Sequence, residues 1–356
     1  MKRMVKFLPN RVWRVYRGGA ELDRWSGAAE AADGSFPEEW IASTVEARNP
    51  QHPLPGEGVS RVALPDGGEE RFDHFLDREG EAFLGPELAA RTGNRPGFLT
   101  KLLDSAIRLP IQAHPDRAAS RTLFHSEFGK TEAWVVLAGR RIGGEEPYLL
   151  IGFNERFDPA VFRREALEGR MEKTLGMMHR FPVTPGETIL IPGGLPHAIG
   201  SGVLVQEIME PTDWVVQPEN FCGECPLTLR DRFAGLEAEE ALSVFHCSVT
   251  SEAELRKRIV LPPRVLAENP DAVLIERIDR NAIRFFGSLE LRLNGTWQCP
   301  EEFRCFMAGT VLEGAASVES GPETMSVERG ETFALGAASA PRFRGTARIL
   351  FALPPL

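Results

Sequence analysis

The way glycine and proline interrupt short apolar runs constrains the fold of this chain more than any other feature. The sequence contains 34 glycines and 27 prolines among 356 residues, spread along the whole chain. The apolar runs between them include residues 133–137, 148–153, 188–191 and 202–208. Short apolar runs separated by turn-forming residues are typical of the strands of a β-barrel or β-sandwich. The sequence therefore predicts a mainly β protein.

The length of the chain predicts the number of domains, and its net charge limits the kinds of binding partner. A chain of 356 residues is longer than one hydrophobic core usually organises, so two domains are expected. The net charge of −10 argues against nucleic acid as a partner, because binding nucleic acid requires a basic face. A local basic pocket for a phosphorylated metabolite is compatible with this charge.

The lack of recognisable targeting signals and the low number of cysteines predict the cellular compartment of the protein. No apolar run approaches the about 18 residues of a transmembrane helix. The basic N-terminus lacks the apolar core and the cleavage site of a signal peptide. Five cysteines are too few for a disulfide scaffold and favour a reducing environment. We therefore expect a cytoplasmic protein without a membrane partner, whose oligomeric state the sequence leaves open.

Four residues have side chains suited to holding a metal ion. Gln112 and His114 lie in an apolar stretch that reads as a strand, and alternation puts both side chains on one face. Glu132 follows in a second segment, and His197 ends a glycine-rich stretch that begins at Gly186. A single histidine is more often structural, but two imidazoles, one carboxylate and one amide oxygen suit Zn²⁺ or another divalent transition metal. The set predicts metal-assisted chemistry on an oxygen-rich molecule.

Three segments have helical patterns. Asp158 and Pro159 provide an N-cap and a proline at the first helical position. Apolar residues then recur near helical spacing and predict a core-facing stripe on a helix over residues 158–180: Val161, Leu167, Met171, Leu175 and Met178. A second helix is predicted over residues 86–103, and a short acidic helix over residues 237–244.

A weak internal repeat suggests a second barrel. Residues 183–190 recur in outline as residues 327–334, each a turn that leads into an apolar strand. The second copy lacks metal ligands, since no histidine follows His246. Residues 271–356 are therefore interpreted as a second barrel without metal, although a repeat this short is also compatible with coincidence. The charged residues 250–270 would connect the two barrels.

The stretch that ends at His197 reads G-x5-P-x-G-x2-H, the second metal motif of the cupin β-barrels. In wider outline, the chain resembles the type I phosphomannose isomerases, which are cupin enzymes. The resemblance runs in order over about residues 15–225. The segments that carry it are residues 38–43, 110–116, 129–134, 192–200 and 206–208.

The resemblance implies a fold that agrees with the pattern of strands. Residues 1–249 would form a cupin domain, a jelly-roll-like β-barrel that is catalytic and binds the metal. Its helical insertions would lie at about residues 86–103 and 158–180. After a connection at residues 250–270, residues 271–356 would form a C-terminal cupin-like β-domain without metal ligands.

The resemblance also implies a function. It indicates a zinc-dependent aldose–ketose isomerase that interconverts mannose 6-phosphate and fructose 6-phosphate through an enediol, with a small sugar phosphate as its partner. Lys130 and Glu38 correspond to residues of the catalytic and substrate-binding site. The base that acts at carbon stays open among a metal-bound water, Lys130 and Glu38. The predicted metal ligands are Gln112, His114, Glu132 and His197.

Two positions depart from the family pattern. Pro110 stands where the family usually has serine, and Gln217 stands at a substrate-binding position where an arginine is expected. Glutamine cannot form a charged, forked contact with a phosphate. Arg230 and Arg232 are near in sequence. These departures keep two alternatives open, namely an isomerase of another sugar, including an unphosphorylated one, and a non-enzymatic metal- and sugar-binding cupin.

Overall fold

The computed structural model describes residues 2–356 and is mainly β, as predicted. The strands in chain order are β1 (Met4–Lys6), β2 (Arg11–Val12), β3 (Glu38–Ile41), β4 (Arg61–Ala63), β5 (Glu69–Arg71), β6 (Leu99–Ser105), β7 (Glu132–Gly139), β8 (Tyr148–Phe153), β9 (Met178–Pro182), β10 (Thr188–Ile191), β11 (His197–Ile199), β12 (Val203–Met209), β13 (Phe221–Cys222), β14 (Cys225–Pro226), β15 (Val260–Leu261), β16 (Arg264–Asn269), β17 (Ala272–Ile278), β18 (Gly287–Gln298), β19 (Met307–Ser320), β20 (Glu323–Glu328), β21 (Thr332–Leu335) and β22 (Arg342–Leu353). The helices are α1 (Ala20–Ser26), α2 (Phe72–Leu84), α3 (Pro86–Thr92), α4 (Arg117–Phe124), α5 (Pro159–Glu168), α6 (Glu172–Leu175), α7 (Leu229–Phe233), α8 (Ala238–Leu242), α9 (Glu252–Ile259) and α10 (Arg280–Ile283), with a 3₁₀ turn at Glu301–Phe303. Among these residues, no helix is long and apolar enough to cross a membrane.

Two layers of antiparallel strands build the first half of the molecule. The larger layer, here the N-terminal sheet, has the strand order β15-β10-β7-β12-β6-β3-β2, and the smaller layer has the order β11-β8-β9. Both layers contribute to one apolar core, in which Trp134 and Val205 of the larger sheet pack with Ile151 and Ile199 of the smaller one. This shared core holds the two layers face to face, as in a sandwich or jelly roll.

The C-terminal sheet has the order β1-β21-β19-β22-β18-β17-β16, with β20 paired to β19. Its first strand, Met4–Lys6, comes from the other end of the chain and pairs with Thr332–Leu335. A cluster of phenylalanines from α2 joins the two halves. The rings of Phe72 and Phe83 lie 6.5 and 5.9 Å from the ring of Phe306, at distances typical of favourable aromatic pairs.

Two helix predictions were too long. The Asp158 side chain caps α5 as predicted, but Gly169, at φ 75°, ends this helix after Glu168. Met178 already belongs to β9, and Leu167 is 37% exposed, so the predicted stripe does not form. Phe162 and Ala166 are buried instead.

The predicted helix over residues 86–103 is also shorter. α3 ends at Thr92, where Gly93 adopts φ 62°, and residues 99–103 belong to β6. All seven residues of β6 are buried, so this strand has no alternation of polar and apolar side chains. The short acidic helix is confirmed as α8 (Ala238–Leu242).

The internal repeat corresponds to two similar turns. Gly186 and Gly330 both have φ 92°, and the strands β10 and β21 begin two residues later. The segment over residues 250–270, predicted as a connection, contains α9, β15 and β16. β15 pairs with β10 of the N-terminal sheet, and β16 pairs with β17 of the C-terminal sheet. The domain limits themselves remain a prediction.

Candidate metal centre

His114, Glu132 and His197 converge at one end of the N-terminal sandwich. Nitrogen and oxygen atoms of their side chains lie within 4.8 Å of one another. Nε2 of His114 is 3.2 Å from Oε2 of Glu132, and Nε2 of His197 is 3.5 Å from Oε1. All three residues are at most 3% exposed. The sequence therefore predicted a cluster that the fold brings together from three separate segments.

Gln112 lies beside His197 through the backbone. The Gln112 N–H donates to the His197 carbonyl at 2.8 Å, and the His197 N–H donates to the Gln112 carbonyl at 2.9 Å. Residues paired in this way direct their side chains to the same face. The pairing is an isolated bridge rather than the regular strand that the sequence suggested. It therefore places the Gln112 side chain on the same face as that of His197.

The turn before His197 depends on close backbone packing. Gly194 has φ 85°, and a Cβ on Gly193 would lie 2.6 Å from Cα of Asp116. Asp116 in turn caps α4, since its carboxylate accepts from the Ala119 N–H at 2.8 Å. The glycines thus allow the two ligand-bearing segments to approach.

Both imidazoles are held in one orientation. Nδ1 of His114 lies 2.8 Å from the Trp214 carbonyl, and Nδ1 of His197 lies 2.8 Å from the Leu195 carbonyl. A carbonyl can only accept, so Nδ1 carries the proton and Nε2 offers its lone pair to the centre. Burial lowers the pKa of His114 and lowers the pKa of His197 to about 3. Both rings are therefore neutral near pH 7, as ligation requires.

The donor set fits a divalent transition ion. Nε2 of His197 is buried and has no hydrogen-bond partner among residues 2–356. Burial opposes ionisation of Glu132, but the charge of Lys130 and the contact with His114 outweigh it and lower the pKa of the carboxyl. The Trp134 indole N–H donates to Glu132 at 3.0 Å and fixes its orientation. Two neutral imidazoles and an ionised carboxylate are the donors that Zn²⁺ prefers.

Lys130 lies within this cluster. Its ammonium contacts the Glu132 carboxylate, lies 2.9 Å from Nε2 of His114 and 3.3 Å from Glu207, and is buried. Burial alone would lower the pKa of Lys130, but the two carboxylates outweigh burial and raise it. The side chain is therefore a buried cation at the candidate site. The sequence indicated Glu207 only as part of residues 206–208 and gave it no role.

Glu38 is connected to the cluster through Lys101 and Glu207. Its carboxylate accepts from Tyr16 at 2.5 Å, Trp40 at 2.7 Å, Arg14 at 2.8 Å and Lys101 at 2.9 Å. Burial opposes ionisation, but the two cations lower the pKa of Glu38 well below its ordinary value. Lys101 also lies 3.6 Å from Glu207. A carboxylate saturated in this way is suited to positioning Lys101 rather than to transferring a proton.

Gln217 is directed towards α7. Its side-chain amide donates to the Asp231 carbonyl at 3.2 Å, and its backbone N–H donates to the Arg232 carbonyl. Arg232 is buried and donates to the carbonyls of Pro218 and Ala166 at 3.0 and 2.9 Å. Arg232 therefore has a structural position away from the cluster.

No protein-family model matches the chain. The chain is 22% identical over 224 residues to a probable mannose-6-phosphate isomerase, GmuF, of Bacillus subtilis, covering 62% of this chain and 63% of that protein. It is 32% identical over 125 residues to mannose-6-phosphate isomerase of Streptococcus mutans, covering 35% and 36%. The matches thus span less than two thirds of the length of these relatives.

Solved structures match over the whole chain. The crystal structure of mannose 6-phosphate isomerase from Bacillus subtilis superimposes with a TM-score of 0.74 at 19% identity, covering 99% of each chain. A mannose 6-phosphate isomerase bound with zinc and yttrium gives 0.71 at 15% identity, covering 100% of each chain. The fold is therefore that of the phosphomannose isomerases.

Proposed function

We propose that this chain is a zinc-dependent isomerase that interconverts mannose 6-phosphate and fructose 6-phosphate. The observation that carries the proposal is the buried cluster of His114, Glu132 and His197 with the Lys130 ammonium beside it. The names of the sequence relatives and the shared fold support a sugar-phosphate isomerase.

The reaction moves a proton between two neighbouring carbons through an enediol. It needs a base at carbon, a proton donor at oxygen and stabilisation of a developing oxyanion. Gln112, His114, Glu132 and His197 would hold Zn²⁺ or another divalent transition metal. The bound metal would supply Lewis acidity towards the sugar oxygens.

The protein's own residues supply charge and orientation. Lys130 keeps its proton, because Glu132 and Glu207 stabilise the ammonium, so it can donate a hydrogen bond to an oxygen that becomes negative. Glu38 holds Lys101 against Glu207, and Glu207 contacts Lys130. We assign to Lys130 a direct contact with the substrate, and to Glu38 the positioning of Lys101.

A second candidate follows from Gln217. This residue is uncharged and its side chain donates to the backbone of α7, so position 217 supplies no cation for a phosphate. That observation favours an isomerase of an unphosphorylated sugar. The same protein can be tested on both kinds of substrate.

The decisive assay is conversion of mannose 6-phosphate to fructose 6-phosphate by zinc-loaded protein, with mannose in a parallel reaction. A chelator should abolish turnover, and Zn²⁺ should restore it. His197→Ala should lose the metal, whereas His74→Ala, at an exposed histidine on α2, should keep it. Failure to convert the ester with the metal bound would contradict the proposal, and conversion of mannose would then favour the second candidate.

A further inference from the structure

Arg48 lies on a rigid aromatic support. Its guanidinium carbon is 3.5 Å from the centroid of the Trp214 ring, and the ring of Phe124 lies 4.5 Å from the same indole. Two groups this close to one ring occupy opposite faces, so the indole is held between them. Stacking orients an arginine while its N–H donors stay free in the guanidinium plane.

No carboxylate of the described residues forms an ion pair with the Arg48 guanidinium. Among residues 2–356, its guanidinium makes no ion pair and no hydrogen bond. Asp213 is the nearest carboxylate along the chain from Trp214, but its oxygens accept from the Arg14 guanidinium, both at 3.1 Å. One of these oxygens also accepts from the Arg48 backbone N–H at 2.8 Å. The backbone of Arg48 is thus anchored while its charge remains available.

A second arginine is brought to the same place. Gln51 donates to the Asp231 carboxylate and to the Pro226 carbonyl, both at 2.9 Å, and this fastens the loop that carries Arg48 to α7. Arg230 is the residue before Asp231 and is exposed. It makes no ion pair within the described part of the chain. Burial lowers the pKa of Arg48, and the charge of Arg230 lowers it further against the effect of Asp213.

The aromatic support of Arg48 is linked to the metal cluster. The carbonyl of Trp214 accepts from Nδ1 of His114 at 2.8 Å. The support of Arg48 is therefore one hydrogen bond from a candidate ligand. The nearest carboxylate, Asp213, is shared with Arg14, so Arg48 and Arg230 are two neighbouring cations that are not fully neutralised. A bound anion relieves such an arrangement.

We infer that Arg48 and Arg230 form the subsite that binds the phosphate group of the sugar substrate. This inference rests on the proposed function. It gives Arg48 and Arg230 the role of supplying the positive charge for the phosphate that Gln217 does not supply. Guanidinium groups bind phosphate oxygens through parallel N–H donors, and such charge-assisted contacts are stronger than neutral ones. The sugar would then extend from this pair towards Lys130 and the metal cluster.

Direct binding of inorganic phosphate tests the subsite without requiring turnover. Calorimetry on the zinc-loaded protein should show binding that Arg48→Gln and Arg230→Gln each weaken about tenfold, as expected for loss of a charge-assisted contact. Arg258→Gln is the matched control, since Arg258 is also exposed and makes no ion pair among the described residues. Arg48→Lys keeps the charge without the planar fork and should give an intermediate affinity.

Kinetics provide the second measurement. Arg48→Gln and Arg230→Gln should raise KM for mannose 6-phosphate by about tenfold, with a smaller change in kcat. If Arg48→Gln fails to fold, the exposed Arg230 still decides the question. Phosphate affinity that is undetectable in the parent protein, or equal in the parent and in both variants, would overturn the inference. If phosphate binding weakens as expected but mannose 6-phosphate is not isomerised, the subsite stands and the proposed function fails.

Discussion

Glu38 and Glu39 are neighbours on β3, and their stability effects should have opposite signs. The Glu38 carboxylate accepts from two buried cations, Arg14 and Lys101. Glu38→Gln removes one carboxylate from each cation, while Arg14 keeps its pair with Asp213 and Lys101 keeps Glu207 at 3.6 Å. The loss should therefore cost about 2–3 kcal/mol of unfolding free energy. Glu39 faces the other side of the strand and accepts only from the Asn10 N–H, at 2.6 Å. Glu39→Gln keeps an acceptor there and removes a buried charge, so it should cost little in acid and stabilise the protein at higher pH.

The pH dependence separates the two residues further. The pKa of Glu38 is lowered in the folded protein, so its contribution is present above the unfolded pKa of about 4.3 and is lost in stronger acid. Burial raises the pKa of Glu39 from 4.5 to about 7. The parent protein should therefore lose about 3 kcal/mol relative to Glu39→Gln as the pH rises from 4 to 8, because each unit by which folding raises the pKa corresponds to about 1.4 kcal/mol.

Urea unfolding followed by tryptophan fluorescence, from pH 4 to 8 with the metal content held constant, measures both effects. The deficit of Glu38→Gln should stay constant from pH 8 to about pH 5. A cost below about 1 kcal/mol for Glu38→Gln would refute the argument from buried charge. The argument would also be refuted if the unfolding free energies of the Glu38→Gln and Glu39→Gln variants changed in parallel with pH.

Three further changes test other parts of the structure. Gly194→Ala should lower metal content, because the added Cβ would overlap His246. Gly186→Ala has a similarly positive φ but open space around it and should retain the metal, and metal analysis of the purified variants checks this. Asp158→Ala should lower the unfolding free energy by about 1 kcal/mol through loss of the α5 cap, and Asp158→Asn should restore most of it in urea unfolding. Retained zinc after dialysis should decline only well below pH 6.5, since the folded protein keeps the pKa of His197 near 3; metal loss already at pH 6.5 would contradict this.

Local signals in the sequence predicted local structure well. Asp158 marks the start of α5, and the turn at Gly186 recurs at Gly330 with the same φ of 92°. The end of α5 was missed although Gly169 provided the signal for it. β6 was mistaken for helix because both of its faces are buried, which removes the alternation that identifies a strand.

The candidate site was predictable only where a motif marked it. His114, Glu132 and His197 were chosen from the sequence, and the fold brings them together. The contact between Lys101 and Glu207 was not foreseen, because strand pairing across β6 and β12 places these residues opposite each other. The approach of Arg48 to Arg230 likewise depends on a loop and on α7, which are far apart along the chain.

The pairing of β1 with β21 has a consequence for how the chain is made. The Arg3 N–H donates to a glutamate 320 positions later, so β1 cannot pair until the segment that carries β21 has been synthesised. A fragment that starts after the prolines at 262 and 263 would present β21 as an unpaired edge, and such edges favour aggregation. The separately expressed C-terminal half should therefore aggregate. Grafting Met4–Lys6 beside β21 through a short linker should keep this half in solution.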